Sequence, residues 1–410
     1  MPVAQTPQSR LGDFLRFRRL TGLAGTPFFL PVTSAILFVG LGDAVGGSYL
    51  TLYAVDTGHL SPLELGMFLS ILALSGITIS TVFARWFDLT STLVPLFLAL
   101  LMSAVGYALL PATNRFYLLL LIAGLPLGIS MAAFPLLFAL AKGHLDAVGD
   151  ETAEGGIAMM RATWSVAWAI GPALAALIDT FFEFRGVFLT TAMCAAVAII
   201  IIGAARVRAR HGPTKMDFSL PPCRRTRRQI GLAAASLTLF HMAMFMGSIA
   251  LPIVTIRDVA GTRVDVGLLF SVCAFLEVLV MFAFVLHPST PGNRAWILAG
   301  FVAFMLCFVA AACAPSVPML LAAQLLRAVG IGLIAYQGIS YIQALMPDRV
   351  GSAAALFSNT TNAGFLFAGL AAGGWAEAFG YRSMFLACAG LSGLGLLMFH
   401  FQSRIYPDDG

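Results

Sequence analysis

The sequence predicts an all-α membrane protein whose twelve transmembrane helices form two bundles of six. Hydrophobic residues make up 59% of the 410 positions and charged residues only 10%, with a mean hydropathy of +0.91. A soluble domain of this composition would expose an apolar surface to water. The apolar segments are long enough to cross a bilayer, and the two halves of the chain share short stretches of sequence.

Twelve apolar segments account for most of the chain. They do not alternate between polar and apolar residues, so they are typical of membrane helices rather than of barrel strands. The predicted spans are residues 30–54, 64–86, 92–111, 116–141, 158–179, 186–206, 229–255, 265–287, 295–314, 318–345, 352–374 and 383–402.

Residues of the first half recur in the second half at two similar offsets, which indicates a duplication. The first offset aligns Arg185 with Arg382 and also places residues 161–165 opposite the polar run 358–362. The second, slightly longer offset aligns Gly66 with Gly267. Further matched pairs are Phe182 with Phe379, Phe188 with Phe385 and Ser70 with Ser271. Repeats of this size are a hallmark of secondary transporters.

Basic residues collect before the first span and between the sixth and seventh, which predicts that both termini lie in the cytoplasm. The N-terminal segment 1–27 has the pattern of an amphipathic helix on an anionic leaflet, and a solvated basic tail is the alternative. The connection 207–228 is rich in basic residues and Pro, so we expect a cytoplasmic linker. It separates an N-terminal six-helix bundle, residues 28–206, from a C-terminal bundle with a short tail, residues 229–410.

Two carboxyl groups fall near the centres of predicted spans, where a charge is costly. Asp43 lies in the first span and Glu277 in the eighth. Desolvation favours the neutral form of a carboxyl group, which is what a proton-coupling residue needs. We therefore expect proton coupling at Asp43 or Glu277, with His241 on the seventh span as a third candidate. The alternative for each is a side chain that only hydrogen-bonds a neighbouring helix.

Aromatic and amide side chains within the spans suggest a site for a neutral polar ligand. Trp164 and Trp168 are four residues apart and share a helical face, as do Asn359 and Asn362 at a spacing of three. Amides exchange hydrogen bonds with hydroxyl groups, and indole faces stack on the C–H surfaces of sugars. The predicted ligand residues are Trp164, Trp168, Gln337, Tyr341, Asn359 and Asn362. Hydrogen bonding between helices is the alternative explanation for the polar members.

A Gly-Pro pair interrupts the fifth span. Gly171-Pro172 removes a backbone donor inside the span, which is tolerated where neighbouring helices or water satisfy the freed carbonyl groups, so this helix is expected to face protein or a wet cavity rather than lipid. Arg161 on the same span is interpreted as a structural pairing residue. Arg327 on the tenth span is expected to snorkel or to pair with a carboxylate.

Three stretches resemble the bacterial sugar efflux transporters, a branch of the major facilitator superfamily. They are PLLFALAKGHLD at 135–146, MRATWSVAWAIGPALA at 160–175 and YIQALMPDRVGSAAALFSNTTNAGFLFAGL at 341–370. The resemblance runs over most of the chain and implies the major facilitator fold of twelve helices in two six-helix bundles around a central cavity. It also implies proton-driven export of sugars, glycosides or related small molecules across a bacterial inner membrane. Glu277 falls where that family carries a glutamate on its eighth helix.

Two shorter motifs extend the resemblance. The superfamily signature after the second helix is reduced here to ARWFDLT, which retains Arg85 and Asp88 but lacks the usual glycines and the following basic residues. These two residues are therefore gating candidates. Gly171 and Pro172 resemble the Gly-Pro motif on the fifth helix of antiporters, which favours export over uptake.

Export of amphipathic drugs or peptides is the closest competing hypothesis, because 17 Met and 33 Phe could line an adaptable pocket. A passive channel or a nontransporting receptor is also compatible with the sequence. An enzyme is not expected, since no paired metal-ligand motif, nucleophile elbow or catalytic dyad has convincing spacing. The expected partners are a small-molecule substrate, protons and the lipid bilayer, for a monomer without cofactor, metal or nucleic acid.

Overall fold

The computed structural model describes residues 28–90, 92–146, 150–207, 224–286, 292–346 and 350–405. Within these ranges the chain is almost entirely helical and contains no β-strand. The predicted N-terminal segment 1–27 and most of the predicted linker 207–228 lie outside the described residues.

Six helices form the N-terminal half. Their bounds are α1 Phe29–Asp56, α2 Pro62–Thr90, α3 Val94–Leu109, α4 Phe116–Leu145, α5 150–182 and α6 184–204. Helix α4 contains a π-helical turn at Ala123–Leu127, which includes Pro126. Proline cannot donate the usual helical hydrogen bond, so the ladder is interrupted at this point.

Six further helices form the C-terminal half. Their bounds are α7 Arg224–Arg257, α8 Arg263–Leu286, α9 Arg294–Cys313, α10 Val317–Leu345, α11 Val350–Phe379 and α12 Tyr381–Ile405. Helix α10 contains a π-helical turn at Ile334–Gly338. The fourth helix of each half therefore carries such a turn. Each predicted span overlaps one of these twelve helices.

The helical stretch Asp150–Ala204 consists of two membrane helices joined by a tight reversal. A straight helix of its 55 residues would be about 80 Å long, far more than the roughly 30 Å hydrocarbon core of a bilayer. Glu183, with φ 53° and ψ −166°, breaks the helical backbone. Helix α1 packs on Trp164 of α5 at Gly40 and on α6 at Gly42, so α5 and α6 lie side by side.

Ten of the described helices are long and apolar enough to cross a membrane. One of these ten is the combined stretch that Glu183 divides into α5 and α6, so the ten correspond to eleven membrane helices. Helix α11, with 30 residues, is the twelfth. Large apolar side chains such as Leu30, Leu177 and Leu397 are exposed, as expected of helices that face lipid. The predicted all-α membrane architecture is confirmed.

The backbone repeats the duplication that the sequence indicates. The first offset places Glu183 on Gly380, and the second places His59 on Ala260. All four residues have positive φ, at 53°, 82°, 50° and 53° respectively. Residues other than glycine rarely adopt this region. Each half therefore reverses direction in the same way after its first helix and after its fifth.

The two halves meet through two helix pairs that the repeat relates to each other. Gly66 on α2 faces Gly369 and Gly373 on α11, and Gly267 on α8 faces Pro172 on α5. A Cβ at Gly66 would lie 2.8 Å from the Gly369 carbonyl oxygen, so only glycine permits this approach. These contacts lie near the end of the bundle opposite the linker, which we term the distal face. The end where α6 stops and α7 begins is the linker face.

The same helix surfaces separate toward the linker face. On α11, Gly369 is buried, whereas Asn362 and Ser358, about two and three helical turns before it on the same side, are exposed. On α5, Pro172 is buried and Arg161, about three turns before it, is exposed. A cleft between the halves therefore opens toward the linker face.

Candidate functional site

Asp43 lies near the middle of α1 and faces the cleft. Its residue surface is exposed, and Gly47, one turn later on the same side of α1, is exposed as well. The Trp168 side chain on α5 lies close enough to the Asp43 carboxyl group to interact with it. Tyr107 on α3 is close enough to interact electrostatically with it. A carboxyl group in this position can exchange a proton with water in the cleft.

Small residues bring α1 and α5 together around Asp43. A Cβ at Gly40 would lie 2.9 Å from the Trp164 ring, closer than side-chain packing allows. Gly171 packs on Ala44, and a Cβ there would overlap the alanine methyl group. Both positions therefore require glycine if the two helices are to keep this separation.

The two tryptophans of α5 have different surroundings. Trp164 covers Gly40 and meets Phe134 of α4 edge-on, with ring centroids 4.5 Å apart. Trp168 is partly exposed, contacts Asp43 and passes 4.0 Å from the Cβ position of Gly47. Trp168 is thus placed to touch a solute beside Asp43, whereas the described contacts of Trp164 are those of packing.

Pro172 is buried where α5 meets α8. The amide of the next residue, Ala173, donates a hydrogen bond to Ser271 Oγ over 2.9 Å. Gly267, one turn earlier on α8, packs on the Pro172 carbonyl group. The fifth span therefore faces protein at this level, as its Gly-Pro pair predicts.

The asparagines of α11 lie on the cleft side of the C-terminal half. Asn362 is exposed and lies on the side of α11 that contacts α2 closer to the distal face. Asn359 is exposed on the neighbouring side of the helix. In the first repeat offset Asn362 corresponds to Ser165, which lies on α5 between Arg161 and Trp168. Equivalent positions of the two halves thus bring polar side chains to opposite walls of the cleft.

Gln337 and Tyr341 are not part of this cleft, which corrects the prediction that they join the ligand site. Their side chains are 0% and 3% exposed. Gln337 Oε1 accepts a hydrogen bond from the Asn293 backbone N over 3.0 Å. Tyr341 Oη accepts one from Gln402 Nε2 over 2.9 Å and one from Arg294 over 3.3 Å. The four-residue spacing does place both on one face of α10, but that face is turned toward α9 and α12.

His241 is buried between α7 and α11, with 6% of its surface exposed. Its Nδ1 and Nε2 lie 3.2 Å from the hydroxyl groups of Thr360 and Thr361. A neutral imidazole has one donor and one acceptor, and both are occupied here. This geometry favours the packing role over proton exchange. In the part of the chain that the structure describes, no group of three or more His, Cys, Asp or Glu side chains could hold a metal ion.

Glu277 lies near the middle of α8 and is partly exposed. It interacts electrostatically with Arg327 of α10. Only 6% of Arg327 is exposed, so its side chain does not snorkel. Asp43 belongs to the contact between α1 and α5, and the structure therefore leaves the two carboxyl groups in separate halves.

Arg161, Arg85 and Asp88 are all exposed. None of the three forms a salt bridge with another described side chain. The pairing expected for Arg161 is thus not seen, and Arg161 instead lies on the surface of α5 that lines the cleft. Arg85 and Asp88 lie in the last turns of α2, near the linker face.

Ion pairs that are not evident from the sequence join the two halves at the distal face. Arg263 lies 3.4 Å from Asp179 and 4.0 Å from Asp56, and Arg257 lies 3.8 Å from Asp56. Both carboxylates belong to the N-terminal half and both guanidinium groups to the C-terminal half. We term these four residues the distal latch.

Arg263 is the centre of the distal latch. Its guanidinium group lies 4.1 Å from the centre of the Phe184 ring, and its backbone oxygen accepts a hydrogen bond from Tyr49 Oη over 2.5 Å. The side chain of its partner Asp179 is only 6% exposed. Each of these charges lies near the end of a span, where charged residues are common, so none stood out alone. The separation of acids and bases between the halves is the signal that could have revealed the latch.

Comparison with known proteins identifies the family. The family model of the Major Facilitator Superfamily matches residues 32–286 and 233–409. A protein of Deinococcus radiodurans named as a sugar efflux transporter is 37% identical over 89% of this chain and 95% of its own length. The chain belongs to the sugar efflux transporters of the major facilitator superfamily. Sugar efflux transporter A of Dickeya chrysanthemi is 29% identical over 94% of this chain and 97% of that protein. The protein is therefore a membrane transporter and not an enzyme.

Solved structures share the fold of this sugar efflux family member. The nucleoside transporter NupG superposes with a TM-score of 0.71 and 14% identity over 92% of this chain and 99% of that chain. A bacterial homologue of the human lysosomal transporter Spinster, in an inward-facing and occupied conformation, superposes with a TM-score of 0.67 and 13% identity. The match covers 92% of this chain and 97% of that chain. At these identities the likeness concerns the fold alone.

Proposed function

We propose that this protein exports sugars, glycosides or related small polar solutes in exchange for protons, by alternating access. The observation that carries the proposal is the meeting of Asp43 with Trp168 in the cleft of a chain that belongs to the sugar efflux transporters. There a group that can exchange a proton lies beside an aromatic surface that can hold a sugar ring.

The arrangement of the two halves supports alternating access. They are packed at the distal face through α2 with α11 and α5 with α8, and they are separated toward the linker face. With the predicted orientation, in which the linker face is cytoplasmic, this is an inward-open state. Opening the distal contacts while closing the linker face would expose the same cleft to the other side of the membrane.

The cleft suits an uncharged polyhydroxylated solute. Trp168 supplies an aromatic face from the N-terminal half, while Asn359 and Asn362 supply amide donors and acceptors from the C-terminal half. A solute that contacts both walls binds best when the halves have a particular separation. Binding energy can therefore be used to move the halves, because a ligand shifts an equilibrium by its difference in affinity for the two states.

Trp168 gives the proton and the solute a common contact. An ionised Asp43 accepts the indole N–H strongly, because a hydrogen bond to a charged acceptor is about twice as strong as a neutral one. Protonation weakens that bond and frees the indole to reorient toward a solute. Proton and solute occupancy are thereby linked through one side chain.

The test is Asp43→Asn in purified protein reconstituted into liposomes. The amide preserves shape and hydrogen bonding but cannot release a proton, so we expect loss of uphill sugar accumulation, at least about tenfold, with downhill sugar exchange retained. Asp146→Asn is the matched control, because the ion pair described for Asp146 is with the exposed Lys142 at the end of α4. Uphill accumulation at the wild-type rate in Asp43→Asn would show that Asp43 is not the coupling residue.

We also propose a bacterial inner membrane location with both termini in the cytoplasm. Cys313, at the distal end of α9, is exposed, whereas the other described cysteines are buried. A membrane-impermeant thiol reagent added to intact cells should therefore label Cys313 and spare a Cys313→Ser variant. Labelling of Cys313 only after the membrane is made permeable would reverse the proposed orientation.

A further inference from the structure

Arg327 is a charged side chain held inside the C-terminal bundle, with 6% of its surface exposed. One terminal nitrogen donates to Ser248 Oγ on α7 over 2.6 Å, and the other lies 3.4 Å from Gln324 Oε1 on its own helix. Its Nε has no hydrogen-bond partner. None of the described carboxylates forms a salt bridge with it.

A guanidinium group buried in this way is costly. Arginine does not lose its proton in proteins, so it cannot become neutral on burial. Ser248 and Gln324 satisfy hydrogen bonds but supply no opposite charge. A buried charge that lacks a partner of opposite sign strongly destabilises the fold. A negative charge within reach of Arg327 would therefore stabilise the bundle.

Glu277 is the acid that can supply this charge. The guanidinium group of Arg327 lies 5.6 Å from the centre of the Phe270 ring, two helical turns before Glu277 on α8. One turn beyond Arg327, Gly332 packs on Val280, and its Cβ position is 3.6 Å from the Glu277 carbonyl oxygen. Helices α8 and α10 therefore place both long side chains at one interface. The other described acids of this half lie near the distal face: Asp258, Asp265 and Glu377.

We propose that Arg327 is a positioning residue for proton exchange at Glu277. When Glu277 is protonated, Arg327 is held by Ser248 and Gln324, as in this structure. When Glu277, which is partly exposed, releases its proton to water, Arg327 turns to pair with the carboxylate and gives up Ser248. The proposal rests on proton coupling as part of the proposed function, and it assigns Glu277 a partner of its own.

The exchange of partners links proton occupancy to helix packing. Ser248 belongs to α7 and Glu277 to α8, so the guanidinium group holds α10 to a different helix in each protonation state. Both α7 and α8 contact the N-terminal half. Loss of a proton at Glu277 would therefore change the packing of helices that the halves use to move.

Among the ionisable groups described around this interface, Glu277 is the one that can serve as the acidic partner of Arg327. The thiols of Cys273, Cys307 and Cys388 lie close enough to Arg327 to interact with it electrostatically. On the other helices that pack on α8, Asp179 of α5 is paired with Arg263, Asp43 of α1 interacts with Trp168, and His241 of α7 is bonded to two threonines. The described contacts of Asp179, Asp43 and His241 are therefore with groups other than Arg327.

The test follows the protonated carboxyl band of Glu277 by infrared difference spectroscopy as pH is varied. The band is assigned by its loss in Glu277→Gln. In Arg327→Gln its pH midpoint should rise by about 1 unit or more, because the ionised form loses its cationic partner. Arg327→Lys should stay near wild type. In Ser248→Ala the midpoint should fall, because Arg327 loses the partner that competes with Glu277.

A role in packing alone would lower stability in these variants without moving the midpoint. An unchanged midpoint in both Arg327→Gln and Ser248→Ala would overturn the proposal. If Arg327→Gln does not fold, Ser248→Ala decides the question by itself, because an unchanged midpoint in that variant overturns the proposal. The spectroscopic readout needs no sugar transport, so failure of the proposed function in liposomes is detected separately.

Discussion

At the scale of single residues, Trp168 is the side chain on which the proposed function depends most. It interacts with the carboxyl group of Asp43 and is partly exposed to the cleft. Phenylalanine at this position would retain an aromatic face but lose the indole N–H. The two tasks of Trp168 can therefore be separated by substitution.

We expect Trp168→Phe to change sugar affinity little, within about threefold, while shifting the pH dependence of transport. Trp168→Ala should weaken sugar binding by about 2–13-fold, since an aromatic contact contributes about 0.5–1.5 kcal/mol. Isothermal titration calorimetry and pH-dependent uptake would measure the two effects. Trp86→Phe is the control, because Trp86 is exposed near the end of α2 and contacts Phe83. Equal affinity in wild type and Trp168→Ala would remove Trp168 from the ligand site.

At the scale of helices, the contact between α2 and α11 depends on backbone approach at glycines. Gly66 lies against both Gly369 and Gly373, with no room for a side chain. The equivalent contact between α8 and α5 uses Gly267 against Pro172. Small residues at helix interfaces are the usual means of close packing in membranes, where lipid is as apolar as the helix surface.

Gly66→Val should push α2 away from α11 and favour opening of the distal face. Forcing added atoms into a packed interface costs about 1–3 kcal/mol, which changes the ratio of open to closed molecules by about 5–150-fold. Ser70→Cys, a buried reporter on the same surface of α2, should then react faster with a membrane-impermeant maleimide in a Cys313→Ser background. Gly374→Val is the control, since no atom lies within 4 Å of its Cβ position. An unchanged labelling rate would mean that this contact does not hold the distal face closed.

At the scale of the whole molecule, the distal latch joins the two halves through opposite charges. Asp179 is almost fully buried, while Arg263 is 37% exposed, so solvent screening reduces the strength of the pair. The pair of Arg257 with Asp56 is more exposed than the pair of Arg263 with Asp179, so it contributes less to holding the halves together. The latch therefore adds modestly to a closure that helix packing provides in the main.

Asp179→Asn should shift the molecule toward distal opening by about 1 kcal/mol, or roughly fivefold. Distances between spin labels at Asn114→Cys and Ser316→Cys, on exposed distal loops of opposite halves, would report the shift by electron resonance. Exchanging the charges in Asp179→Arg with Arg263→Asp should restore part of the closed population. Lys142→Gln removes an exposed pair within α4 and should have no effect. Identical distance distributions in Asp179→Asn and wild type would exclude the latch as a closing element.

The sequence alone predicts the membrane class, the twelve spans and the duplication. These follow from local properties: hydropathy and segment length set the spans, and matched pairs such as Arg185 with Arg382 mark the repeat. It also located Asp43, since a carboxyl group at mid-span is conspicuous wherever its helix packs. The Gly-Pro pair of α5 likewise indicated contact with protein, because a lost backbone donor needs compensation.

Which face of each helix meets which neighbour became known from the packed structure and could not be predicted from the sequence. In a membrane protein the lipid-facing and the buried surfaces are both apolar, so hydrophobic periodicity does not orient a helix. The sequence therefore predicts that Gln337 and Tyr341 share one face of α10, but it does not predict that this face is turned toward α9 and α12. Charges distant in the chain, such as Asp179 and Arg263, become partners only when the two halves close, because pairing depends on distance in space and not on the local sequence.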